Sequence, residues 1–160
     1  MFCFNARAYV SVAVLVSVTV SACAAQDAAD TGFKSMQSRG RAVMGVDQYT
    51  SSHRFEDLPD GGRIELQRNG PDSAGVDAIR EHLQAISEAF AKGDFTAPGL
   101  VHAGKVPGAR AMAEKHRAIR YQYRPRPLGG EVRITTGDAE ALRAIHTFLE
   151  FQRREHRAGP

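Results

Sequence analysis

Apolar and polar positions alternate along this chain at the strand period in four places and recur at the helix period in two. The order is strand, strand, helix, then strand, strand, helix again. Ser51, His53 and Phe55 alternate with Ser52, Arg54 and Glu56, so His53 shares a strand face with Phe55 and should point at a helix layer. Pro59-Asp60-Gly61-Gly62 supplies a turn, and Ile64 and Leu66 alternate on the return, which predicts a β-hairpin. Val76, Ile79, Leu83, Ile86 and Phe90 follow at spacings of three and four, with Asp72 or Ser73 as cap and Gly93 as stop. The stretch from Asp94 to Gly108 is broken by Pro98, Gly99, Gly104 and Pro107, and one short helix is expected from Ala109 to His116. Ile119, Tyr121 and Tyr123, a Pro127-Leu128-Gly129-Gly130 turn, and Val132 and Ile134 predict a second hairpin. Asp138 caps a last helix striped by Leu142, Ile145 and Leu149 and broadened by Phe148 and Phe151.

The two halves look like copies. Pro59 to Leu66 and Pro127 to Ile134 match in proline, both glycines and both apolar positions at an offset of 68. The helices match after a two-residue slip, Ala78-Ile79 and Leu83 falling opposite Ala144-Ile145 and Leu149. A ββα unit cannot cover its own apolar faces, so the expected fold is α+β, with duplicated ββα units forming one four-stranded antiparallel sheet and two helices on one face. The folded domain is expected over 49–157, with repeats 49–93 and 117–157.

The N-terminus has a different pattern. Phe2 to Arg7 form a short n-region, Ala8 to Val20 an apolar run too short to span a bilayer, and Val20-Ser21-Ala22-Cys23 fits the cleavage box of a bacterial lipoprotein. Residues 1–22 therefore read as a signal peptide, with Cys23 as the lipidated residue. The likeness implies palmitate-type acyl chains on Cys23, a near-permanent anchor. Ala22-Cys23-Ala24 also fits the ordinary signal-peptidase rule, and that cut would release a soluble product. Ala24 rather than Asp after Cys23 resembles lipoproteins sent to the outer membrane, and either cut places the chain in the periplasm. Residues 23–48, rich in Ala, Asp, Ser, Gly and Arg without a sustained apolar period, read as lipidated terminus and flexible tether.

Removing residues 1–22 leaves 138 residues, one core's worth, and no cysteine other than Cys23. The remaining 20 basic against 18 acidic side chains are too nearly balanced to argue for nucleic acid. Arg117, Arg120, Arg124 and Arg126 are expected to face different ways and to be solvated, with weak lipid-headgroup attraction as a lesser reading. A partner elsewhere in the envelope stays open.

Six histidines, at 53, 82, 102, 116, 146 and 156, are the candidate chemistry. Neutral imidazole is the commonest metal ligand, and imidazole with methionine sulfur suits copper(I); zinc is the other candidate. No His-x-x-x-His, HExxH or cysteine pair fixes a site, so ligands would have to come from separate elements. His53, His102, Met112 and His146 form the candidate set. The alternatives are a backbone-bonded buried His53, structural His82 and His146 at helix boundaries, and Met112 as core filler. No nucleophile elbow, P-loop, Ser-x-x-Lys or dinucleotide motif occurs, no catalytic residue is assigned, and a non-enzyme is the better reading. A histidine base at His102 would need a partnering carboxylate.

Met44-Gly-Val-Asp-Gln48, His53-Arg-Phe55, Leu58-Pro-Asp-Gly-Gly62, Gly93-Asp-Phe95, Val101-His102 and Ala144-Ile-His146 through Phe151-Gln152 together resemble a family of small exported bacterial proteins and lipoproteins. Some members carry the label aspartate carbamoyltransferase. That enzyme is a larger two-domain cytosolic α/β protein with a Ser-Thr-Arg-Thr loop, and this chain has no such loop. The resemblance covers about Met44 to Gly159. It implies that His53, His102, Met112 and His146 lie in motif-like segments, and it carries over no activity. The reading from sequence is an outer-membrane-anchored periplasmic lipoprotein that binds a transition metal, or else an envelope interaction module whose histidines are structural.

Overall fold

The computed structural model describes residues 17–45 and 47–158 of the 160-residue chain. The chain divides into an N-terminal unit ending at Gly32 and a domain from Phe33 onward. Helix α1 (Ser17–Met44) begins in the first unit and ends in the second. Strands β1 (Ser51–Leu58) and β2 (Gly61–Arg68) and helix α2 (Ser73–Ala91) follow. Short helices α3 (Thr96–His102) and α4 (Ala109–Glu114) lead to β3 (Ile119–Arg126), β4 (Gly129–Thr136) and α5 (Ala139–Glu155). The fold is α+β, one antiparallel sheet in the order β1-β2-β4-β3 with α2 and α5 packed against it.

The duplication explains the layout. Asp72 caps α2 through the Gly75 amide, and Asp138, its counterpart 66 residues on, caps α5 through the Glu140 and Ala141 amides. Each helix covers the other repeat's hairpin, α2 over β3 and β4 and α5 over β1 and β2. The repeated glycines permit this. A Cβ on Gly62 would strike Leu149 of α5, and one on Gly130 would lie 3.2 Å from Leu83 of α2. At the β2–β4 seam, a Cβ on Gly61 would strike the Ile134 carbonyl and one on Gly129 the Leu66 carbonyl. The core between sheet and helices holds Ile64, Leu66, Ile79, Leu83, Val132, Ile134, Ile145 and Leu149.

Three expectations are corrected here. The stretch 23–48, expected as a lipidated terminus and flexible tether, is helical as far as Met44, and from Phe33 onward it belongs to the folded domain. Alanine is abundant, proline is absent, and Met36, Gly40 and Met44 recur every four residues, a stripe hidden because its middle member is glycine. Met36 and Gln37 are buried, and Arg39 donates to the Val101 carbonyl of α3 at 2.8 Å. The domain thus starts upstream of Tyr49. Arg120, Arg124 and Arg126 do not face different ways, since even-numbered residues of β3 share the face of the sheet away from α2 and α5. Arg54, Arg63, Arg133, Glu56, Glu65 and Glu131 share that face by the same register. Its centre is Glu131, 1% exposed, which lies 3.7 Å from Arg124 and 3.8 Å from Arg63 and is hydrogen-bonded by Arg126. Residues 1–16, most of the expected signal peptide, lie outside the described residues, and Cys23 falls within α1. Among the described residues no helix is long and apolar enough to cross a membrane.

Candidate functional site

A cavity of about 70 Å³ opens between α2 and α5 over β1 and β2. His53 and Phe55 of β1 form its floor, His82 and Phe90 of α2 one wall, and Phe148 and Gln152 of α5, with His156 at its C-cap, the other. Met44 at the end of α1 and His102 at the end of α3 close the top. Four of the six histidines therefore meet, drawn from four separate elements, which is why no local spacing announced them. Three of the rings are in contact: His53 and His156 stack with centroids 5.0 Å apart, and His102 meets His156 edge-on at 5.2 Å.

The imidazoles are uncharged at neutral pH. Burial, with repulsion from His82 second, holds His53 down to about 4, and burial alone holds His82 at about 4. His156 is lowered further, by burial first and then by His53 and His102. Burial also lowers His102, opposed by the hydrogen bond it makes to Gln152 and by the charge of Glu155, with Arg39 adding a small push down. That bond sets the tautomer. His102 Nε2 donates to Gln152 Oε1 at 3.0 Å, so the proton sits on Nε2 and Nδ1 keeps its lone pair. Nδ1 is buried and has no protein partner, and neither nitrogen of His53 has one. Native structures leave few buried polar atoms in that condition, since each costs about 1–3 kcal/mol.

The internal repeat is a control for these positions. By the 68-residue offset His53 corresponds to Tyr121, and by the 66-residue offset His156 corresponds to Phe90. Phe90 and Tyr121 pack edge-on at 5.7 Å, and Phe95 stacks on Phe90 at 4.3 Å. The Tyr121 hydroxyl also lacks a partner, and burial raises its pKa. Aromatic rings thus satisfy the fold at this place in one half, whereas the other half carries two imidazoles beside a cavity.

The same correspondence relocates the candidate metal set. His146 pairs with Arg80, and the two do the same work. His146 Nε2 donates to the carbonyls of Leu58 and Gly61 at 3.0 Å, and Arg80 donates to those of Arg126 and Gly129 at 3.1 and 3.2 Å. Each clips the turn of the hairpin its helix covers, which spends the His146 nitrogen on structure. Met112 is wholly buried in the core and does not line the cavity; Met44 is the methionine that does. Of the set His53, His102, Met112 and His146, only His53 and His102 come together. His53 faces the helix layer as its strand parity requires, but without a backbone hydrogen bond. His116 Nδ1 donates to the Ala113 carbonyl at 2.9 Å. His156, which continues the stripe of Leu149 and Gln152, is the member the sequence reading passed over, and the signal was that stripe.

Among the described residues no group of three or more His, Cys, Asp or Glu side chains is placed to hold a metal ion. A preformed tetrahedral zinc centre is therefore not what this arrangement offers. The hydrogen-bonding group against His102 is the Gln152 carboxamide; the Glu155 carboxylate acts on the ring only through its charge, and no Asp or Glu is among the described lining residues. The site can admit a small guest, donate or accept a hydrogen bond through His53, and offer a lone pair at His102. No protein-family model, curated protein or solved structure matches the chain.

Proposed function

We propose that the chain is an envelope lipoprotein, anchored through Cys23 and directed to the periplasmic side of the outer membrane, whose domain is a non-catalytic binding module with its guest site between α2 and α5. The anchor rests on the Val20-to-Cys23 pattern. One observation carries the binding reading: where the second hairpin has Phe90 packed against Tyr121, the first has His156 against His53, at a cavity in which both nitrogens of His53 and Nδ1 of His102 are buried without a protein partner. The fold does not require imidazole there, so a guest that satisfies those nitrogens accounts for them. At about 70 Å³ the cavity is half the size of the engineered 150 Å³ cavity that takes benzene, so the guest has few atoms.

Xenon is the probe that tests guest entry without assuming chemistry. The full chain with Cys3→Ser and Cys23→Ser, under xenon pressure in methyl-resolved NMR, is expected to show saturable shifts at Met44, Leu66 and Ile86. Unshifted methyls there would overturn the reading.

A second reading, an interaction module, draws on the outer sheet face, where six arginines stand with three glutamates. A photocrosslinker at position 122 in living cells would give a discrete adduct under that reading and none if the face is only solvated.

A further inference from the structure

We propose that the guest is a small neutral alcohol, its hydroxyl held between His53 and His102 and its alkyl chain laid on the apolar walls. The inference rests on the binding reading above and gives it a ligand class. Size, charge and hydrogen-bonding capacity each narrow that class.

An organic cofactor or sugar needs a pocket of about 300 Å³ or more, far above the 70 Å³ available here. Half of a benzene-sized cavity holds about three or four heavy atoms. The described lining has no Asp, Glu, Lys, Arg or Cys, and its imidazoles are uncharged at neutral pH, so an ion of either sign would be buried without a counter-charge. Alkylamines and carboxylates, both charged at neutral pH, are thereby disfavoured.

Hydrogen bonding decides among neutral guests. An uncharged His53 has one N–H and one bare nitrogen, both buried without a protein partner, while Gln152 takes the Nε2 proton of His102 and leaves its buried Nδ1 bare. Both rings pack on the His156 ring, at centroid separations of 5.0 and 5.2 Å, which brings a donor and an acceptor to one end of the cavity. A hydroxyl accepts and donates through a single atom and rotates to suit. It accepts from the His53 N–H and donates to His102 Nδ1. The walls beyond are hydrocarbon, supplied by Phe55, Leu66, Leu83, Ile86 and Phe148. A carboxamide would press two donors and two lone pairs into them, and each of several waters would need about three hydrogen bonds that hydrocarbon cannot give. An alkyl chain needs none.

The test titrates the full chain carrying Cys3→Ser and Cys23→Ser at pH 7.5 with propan-1-ol, with its isomer methoxyethane, which has no hydroxyl hydrogen, and with propionate. Propan-1-ol is expected to shift the Met44, Leu66 and Ile86 methyls and the ring nitrogens of His53 and His102 saturably in NMR, with a Kd no tighter than about 40 µM, the ceiling for so small a ligand. Methoxyethane should bind about 10-fold more weakly, and propionate should leave the methyls unmoved. His53→Phe, which keeps a ring where the second hairpin has one, should weaken both isomers about 10-fold; His102→Phe should weaken the alcohol alone and close the gap between them. Isomers that bind alike to the unsubstituted site, shifts that do not saturate, or propan-1-ol binding untouched by both variants would overturn the inference. Xenon entry without saturable propan-1-ol binding would sink the alcohol and leave the binding module standing; failure of both would sink the two together.

Discussion

Lowering the pH from 7.5 to 5 should let the domain unfold at far lower denaturant, and the cavity histidines set the size of the effect. His53 and His82 titrate near 6.5 in the unfolded chain and are held down to about 4 when folded, chiefly by burial. Protonation therefore favours the unfolded state. The stability is complete above pH 6.5, falls as the pH drops below it, and stops falling once the folded pKa near 4 is passed. For one such histidine the loss follows a slope of about 1.4 kcal/mol per pH unit and reaches about 2 kcal/mol at pH 5. His82 repels a charged His53, so the second proton enters less easily and the two losses do not simply add. His102 and His156 are lowered too and act with the same sign. Carboxylate effects lie lower in pH: Asp138, held down to about 2 by the Ala141 amide and by Lys115, loses its contribution only as the pH falls below about 4. Urea denaturation followed by circular dichroism measures the effect at half-unit intervals. His53→Phe should remove about one proton's worth of slope. A stability that stays flat or rises between pH 7 and pH 5 would refute the claim that these imidazoles are buried uncharged.

Other substitutions test the scaffold and the anchor. His146→Ala should cost about 1–2 kcal/mol by stripping the Leu58 and Gly61 carbonyls of their donor, and His146→Arg should recover part of it if Arg80 is the true counterpart; urea midpoints decide. Gly61→Ala should cost on the order of 3 kcal/mol, since φ is +149° there and a Cβ would meet the Ile134 carbonyl, and a midpoint shift under half that would refute the seam described here. Cys23→Ser should abolish palmitate labelling and move the protein out of the membrane fraction, whereas unchanged fractionation of an unlabelled mature chain would refute the lipobox reading.

The duplicated framework was legible because its devices are local. Alternation in the strands, Asp72 and Asp138 as caps, and the Pro-x-Gly-Gly turns all lie within one element or its edge. The glycines could be read as turn residues but not as the places where each helix lies over the opposite hairpin, a long-range fact. The site was legible only in half. His53 and His102 could be singled out, one by strand parity and one by its position in a broken stretch. His156, His82 and Met44 reach the same cavity from α5, α2 and α1, and nothing in their spacing links residues so distant in sequence. His146 was misleading because a helix-boundary histidine has the same local surroundings whether it clips a turn or binds a metal; the 66-residue match to Arg80 separates the two. The end of α1 was missed because Gly40, where a Cβ would lie 3.2 Å from Met44 Cε and 3.9 Å from Val101 Cγ1, interrupts its apolar stripe.

The most direct measurement rebuilds the first half in the image of the second. His53→Tyr with His156→Phe places the Tyr121–Phe90 pair at the cavity and removes the imidazoles it would need for a guest. If these histidines serve binding and not folding, the double variant will denature at the same or a higher urea concentration at pH 7.5 and will no longer admit xenon. A loss of several kcal/mol of unfolding free energy would show instead that the imidazoles hold the fold together, and the binding account would fall.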